Sequence, residues 1–372
     1  MNTKLSARSG VVGRLLVTIF LVATINILWC IAVLRDESRF FWSSLARTGA
    51  HPETVRDVAL KRLLRWMREE CRGYVAPVQL GVVGGIRGLL SGADMRAGDI
   101  AVRIPRRCLF ACDNAGSSGR LSDLSPQHQI AFSLAEQRQL GEASWWAPYI
   151  ATLPRYSEFV ETLPIAALAA SRKEAEDGGQ LANFMNLSGF PVLERAIVSE
   201  EQLWQAWRKY SIHHDQGPAS LPNQISWSAA AWGMSVVLSR GFGINSIQGG
   251  IALVPLYDLA NTFSTPAGGG EQSLVWHQDL ENGSFVARAA LDMSQGVEWT
   301  SRYWYHIAES ESLHRYGFRA GEGSWRVLGS PVDSRCVQWL AEVDTIANDN
   351  ISKPVAINLA ELVRERCAST IG

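Results

Sequence analysis

An excess of charge of either sign is missing from this chain. Its 372 residues carry 35 lysines and arginines against 36 aspartates and glutamates, a formal net charge of -1. No excess of positive charge is present to hold a polyanion without regard to sequence, so a nucleic-acid partner is not expected. Cysteine is sparse as well, with six residues scattered from Cys30 to Cys367. Cys108 and Cys112 form C-x3-C, but no second pair or histidines follow at zinc-like spacing, and no metal site is expected. So long a chain with so few cysteines also gives no reason to expect a disulfide framework. Internal repeats are absent, and so is the G-x-G-x-x-G fingerprint of dinucleotide binding. "GGIRGLL" (84–90) leads into a turn and another strand, where a Rossmann unit needs a helix.

Apolar residues, by contrast, are plentiful at 47%, enough for a sizeable core in one large domain or two small ones. One run stands apart. Residues 15–34, "LLVTIFLVATINILWCIAVL", are uncharged and long enough to cross a hydrocarbon core of ~30 Å. A basic segment, 1–14, precedes them, and a polar linker, 35–53, follows. The run reads as an uncleaved single-pass membrane anchor, or alternatively as a targeting segment removed on entry to an organelle such as a plastid. Positive charge before the span favours a cytosolic N-terminus.

Beyond the linker the periodicity alternates. "PETVRDVALKRLLRWMREECRG" has helical spacing, with Pro52 suited to a first turn. Glycine-punctuated short apolar runs up to Phe110 read as strands and tight turns. From about 125 to 240 the pattern is helical again, and from 251 to 304 it returns to short strands. "PAGGG" at 266–270 reads as a flexible surface loop. Strands at both ends of a helical block predict an α+β fold in which a helical insertion interrupts one β-rich domain, so two distant β pieces must meet in space.

Within "LVPLYDLANTFS" (253–264), Asp258 and Asn261 stand among apolar neighbours, where an unpaired polar group costs about 1–3 kcal/mol. Singly, each conspicuous residue has an ordinary reading. Arg240 suits a helix C-terminus, Tyr303 and Tyr316 suit a core, and Asp258 and Asn261 suit a turn. Together the pieces are ordered: R-G-L (87–89) with A-G-D-I-A-V-R-I-P, then S-W-W-A-P-Y-I-A-T-L-P, S-R-G-F, L-V-P-L-Y-D-L-A-N, and finally G-V-E…Y…Y-G-F. That set resembles a SET-domain protein methyltransferase, in the branch of the RuBisCO large-subunit and actin-histidine methyltransferases, over roughly residues 54–318.

The resemblance implies a β-rich SET core split at about 125–240, with 319–372 a short helical remnant of a substrate-binding domain. It implies S-adenosyl-L-methionine as cofactor and a protein lysine as acceptor, with histidine as an alternative acceptor. A monomer is expected, attached to the membrane through residues 15–34. By the same resemblance Tyr303 is the catalytic tyrosine, and Arg87, Gly88, Leu89, Arg240, Asn261, Thr262 and Tyr316 bind cofactor. Phe318 and Trp304 line the substrate channel, while Asp258 and Glu298 give structural support. The chain departs from the family pattern at four places. Asn-His reads Asn261-Thr262, G-E-E reads Gly296-Val297-Glu298, the glycine after the tyrosine is Trp304, and Glu309 replaces a frequent asparagine. A catalytically weakened, SET-like peptide-binding protein is therefore the alternative reading.

Overall fold

The computed structural model describes residues 52–83, 86–113, 121–175, 191–215, 224–245, 247, 249–262, 272–279, 281–303 and 309–316. The chain opens with helix α1 (Pro52–Glu69), beginning at the proline that the sequence marks as a first-turn residue. Leu60, Leu63 and Met67 recur at helical spacing and are buried together with Trp66. Four strands follow: β1 (Tyr74–Val75), β2 (Val78–Val83), β3 (Ile86–Ser91) and β4 (Ile100–Ile104).

The helical block then runs through α2 (Pro126–Leu140), α3 (Ala147–Ile150), α4 (Tyr156–Thr162), α5 (Pro164–Ala175), α6 (Pro191–Asp215) and α7 (Trp227–Arg240). Ser125 and Ser226 cap α2 and α7, each side chain accepting from a backbone N–H three residues on. Such caps contribute about 1 kcal/mol each. α2 and α7 pack so closely that a Cβ on Gly233 would lie 2.2 Å from the Ala131 carbonyl oxygen, and only glycine permits that approach. Between α5 and α6, Arg172 bridges Glu200 and Glu201.

After α7 come β5 (Gly241–Gly243), β6 (Ile251–Leu253), β7 (Asn261–Thr262), β8 (Leu274–Gln278), β9 (Phe285–Ala289), β10 (Thr300–Ser301) and α8 (Glu309–Tyr316). The main sheet has the order β1-β4-β9-β8. β4 pairs antiparallel with β9, as in Val102 opposite Ala287, so strands from both sides of the helical block form one sheet. β2 pairs with β3, β5 with β6, and β10 runs parallel to β7.

Two expectations need correction. Cys71 and Cys108 are joined by a disulfide, tying the residue just past α1 to the turn after β4. Both are fully buried, and Arg107 donates to the carbonyls of Glu70 and Cys71 across the same junction. The pairing depends on that tertiary contact, which no spacing along the chain displays. The membrane localisation, in its single-pass and plastid forms alike, is likewise withdrawn: among the described residues no helix is long and apolar enough to cross a membrane. Residues 15–34 themselves lie outside the described residues, as do the 266–270 loop and the helices expected in 319–372.

Candidate functional site

β3 is held on two sides. On one it pairs with β2, Gly81 opposite Gly88; on the other it meets the segment 296–299. Ser91 N–H donates to the Val297 carbonyl, Gly296 N–H to the Ser91 carbonyl, and Trp299 N–H to the Leu89 carbonyl at 2.7 Å. That segment continues into β10, which places Thr300 beside Asn261 and Ser301 beside Thr262. The chain after β9 thus crosses between β3 and β7, joining residues 86–91 to residues 261–262.

Asn261 fills the crossing. Its Nδ2 donates to the Arg87 carbonyl at 2.9 Å and to Glu298 Oε1 at 2.8 Å. A Cβ on Gly88 would lie 2.2 Å from that same Oε1 and 2.9 Å from that Nδ2, so the glycine makes the space the pair occupies. One residue before Asn261, the Ala260 carbonyl accepts from the Tyr303 hydroxyl at 2.8 Å. The Tyr303 ring stands 5.0 Å from that of Tyr316, the last residue of α8. Burial pushes the Tyr303 phenol up to about 12, with Arg240 pulling it partly back, so it is neutral at ordinary pH.

Beneath the crossing lies a short 3-10 turn, Tyr257–Leu259. Asp258 there is only 4% exposed. Its Oδ2 accepts from the Tyr149 hydroxyl at 2.7 Å, and its backbone carbonyl accepts from Arg240 Nη1 at the end of α7. Burial raises the Asp258 carboxyl to about 6, against the opposing pull of the Arg240 charge and the Tyr149 bond. Asp258 Oδ1 and Arg240 Nε are buried without a hydrogen-bond partner. Tyr257 donates to Ser301 Oγ at 2.8 Å, fastening the turn to β10.

The structure therefore brings together Arg87, Gly88, Leu89, Asn261, Thr262, Glu298 and Tyr303, with Tyr316 against Tyr303 and with Arg240 and Asp258 one layer below. Trp304 and Phe318 lie outside the described residues. Reading the sequence did not single out Tyr149, although it stood in the quoted S-W-W-A-P-Y-I motif, nor Tyr257 and Ser301. Ser273 was missed as well: buried, it donates to the Glu298 carbonyl at 2.9 Å and accepts from Thr300 N–H at 2.6 Å. A lone serine flanking a loop gives no sequence signal for that.

Solved structures share this architecture. The SET domain of LSMT bound to lysine and AdoHcy superposes with a TM-score of 0.55 at 17% identity, covering 80% of this chain. The fold is that of a SET domain. Rubisco LSMT bound to AdoMet gives 0.55 at 19% identity over 79% of this chain, and Rubisco LSMT bound to sinefungin and monomethyllysine gives 0.53 at 18% over 79%. This chain covers 65%, 65% and 64% of those three chains. No family profile and no curated protein sequence matches the chain.

Proposed function

We propose that this SET domain is an S-adenosylmethionine-dependent protein-lysine N-methyltransferase. The observation that carries the reading is the crossing itself, where the Asn261 side chain, Glu298 and the Arg87–Leu89 backbone converge one residue from the carbonyl that anchors the Tyr303 hydroxyl. The neighbouring solved structures hold AdoMet, AdoHcy or sinefungin, and lysine or monomethyllysine, which favours that cofactor and acceptor.

The residues present fit such a cofactor. Arg240 Nε is a buried donor in want of an acceptor such as a carboxylate. The Tyr303 and Tyr316 faces suit a sulfonium charge. When bound, the cofactor supplies an electrophilic methyl group for in-line displacement. Asn261 and the Arg87–Leu89 backbone would hold it, and alignment would supply much of the rate. Tyr303 stays protonated, so it does not act as a base. With its hydrogen committed to Ala260, its oxygen can orient C–H groups of the methyl. Exclusion of water around an entering lysine would disfavour its ammonium form, the proton leaving to solvent before transfer, so that its nitrogen lone pair is available.

The test is transfer of label from S-adenosylmethionine to lysate proteins by the full-length chain, with amino-acid analysis of the product to separate lysine from histidine. Tyr303→Phe should lower transfer at least tenfold while leaving cofactor affinity within about twofold. No cofactor binding by calorimetry, together with no labelling, would overturn the assignment. Cofactor-independent peptide binding would instead support the weakened-module reading, favoured by Thr262 standing half-buried where the family carries histidine.

A further inference from the structure

The turn that carries this site is bent against its backbone preference. Leu256, immediately before it, has a φ of 71°, the left-handed region that a branched L-residue avoids. Its side chain is fully buried and cannot escape by swinging into water. Such a conformation persists only where its surroundings over-determine it. Downstream lie the Ala260 carbonyl that receives Tyr303 and the Asn261 amide that reaches Arg87 and Glu298.

Two elements of the helical block grip the turn through one residue. Arg240 takes the Asp258 carbonyl, and Tyr149, from a helical turn 109 residues earlier in the chain, takes its carboxylate. Tyr149 is fully buried, and Asp258 Oδ1 has no hydrogen-bond partner, so the Tyr149 hydroxyl is the side-chain donor that fixes the carboxylate. We infer that Tyr149 is a positioning residue: acting through Asp258, its hydroxyl holds the 257–261 turn so that the Ala260 carbonyl, the Tyr303 hydroxyl and the Asn261 amide stay in register for methyl transfer. The inference rests on the methyltransferase reading for its purpose, though not for the hold on the turn.

The charged and titratable groups facing Asp258 are Tyr149 from α3, Arg240 from α7 and Tyr303 after β10. With its carboxyl raised to about 6, Asp258 becomes neutral just below that pH and loses its attraction for Arg240. The Tyr149 bond opposes that rise, so removing the hydroxyl moves the transition to higher pH. His314, which burial holds near 4, stays neutral throughout the interval from pH 5 to 7.

The experiment compares full-length wild type, Tyr149→Phe and Asp258→Asn by two measurements. One is amide hydrogen exchange of residues 257–262 in the ligand-free chain, with α7 as the reference. The other is S-adenosylmethionine affinity from pH 5 to 7. Wild-type affinity should change across an inflection near pH 6. In Tyr149→Phe the inflection should lie at higher pH, and in Asp258→Asn it should vanish. Exchange of the turn should quicken at least tenfold in both variants while α7 is unchanged. An unmoved inflection in Tyr149→Phe, or exchange equal to wild type, overturns the inference. Should a variant fail to fold, the wild-type chain still decides: protection of 257–262, corrected for the intrinsic pH dependence of amide exchange, that stays constant relative to α7 between pH 5 and 7 refutes the hold. If wild type binds no cofactor but the turn loosens in Tyr149→Phe, the activity falls and the hold stands. If wild type methylates protein and the turn does not loosen, the hold falls alone.

Discussion

Adding one methyl group at Gly88 should unfasten the crossing without deleting any polar group. The new Cβ would stand 2.2 Å from Glu298 Oε1 and 2.9 Å from Asn261 Nδ2. Ordinary contact begins at about 3.5 Å, so the carboxylate oxygen must withdraw by more than about 1 Å. That retreat stretches the 2.8 Å Asn261–Glu298 bond beyond hydrogen-bond range. A hydrogen bond to a carboxylate is worth about 1.5–3 kcal/mol, and both side chains here are half-buried, so about 2 kcal/mol is expected for Gly88→Ala. Urea unfolding gives the stability loss, and a double-mutant cycle assigns it. In an Asn261→Ala background the bond is already gone, so the same Gly88→Ala change should cost about 2 kcal/mol less. Strict additivity would show that Gly88 does not act through this pair and would refute the reasoning.

Asp258 and His314 should pull stability in opposite directions as pH changes. The Asp258 carboxyl lies raised at about 6, so its contribution is full below about pH 4 and falls by about 3 kcal/mol as pH climbs to 6. His314 is depressed to about 4, so its contribution is full above about pH 6.5 and falls by about 3 kcal/mol as pH drops to 4. Wild type should therefore be nearly flat from pH 4 to 6.5. His314→Gln should become more stable toward acid and Asp258→Asn less stable, and urea midpoints measured across that interval would contradict this if the two slopes shared a sign. Gly233→Ala drives a Cβ into the Ala131 backbone, which has no flexible end to yield, and should cost about 2 kcal/mol or more despite alanine's better helix propensity. Thermal unfolding within a degree of wild type would show that α2 and α7 part freely.

Much of this was legible because it lies in local pattern. Pro52, the alternation of periods and the ordered motifs each sit within a short window, and the expectation that two β pieces must meet is realised by β4 against β9. Other features depend on partners far along the chain. Nothing near Tyr149 announces an aspartate 109 residues away, and nothing near Cys71 distinguishes Cys108 from Cys112. Arg240 shows the middle case. Its helix-end position was readable, but its turn toward the Asp258 carbonyl is fixed only once the 257–259 turn is packed beneath it.

The pairing of β4 with β9 carries a consequence for how this protein is made. A ribosome adds about 5–20 residues each second, so Ile100–Ile104 emerges roughly 10–30 s before the strand that completes its sheet. Over that interval β4 has only the two-residue β1 beside it in the sheet, and its other edge is open to any extended chain nearby. The helical block, whose contacts are closer in sequence, can assemble while translation continues. Nascent chains halted before residue 285 should accordingly recruit holdase chaperones, and release from them should coincide with the arrival of β9.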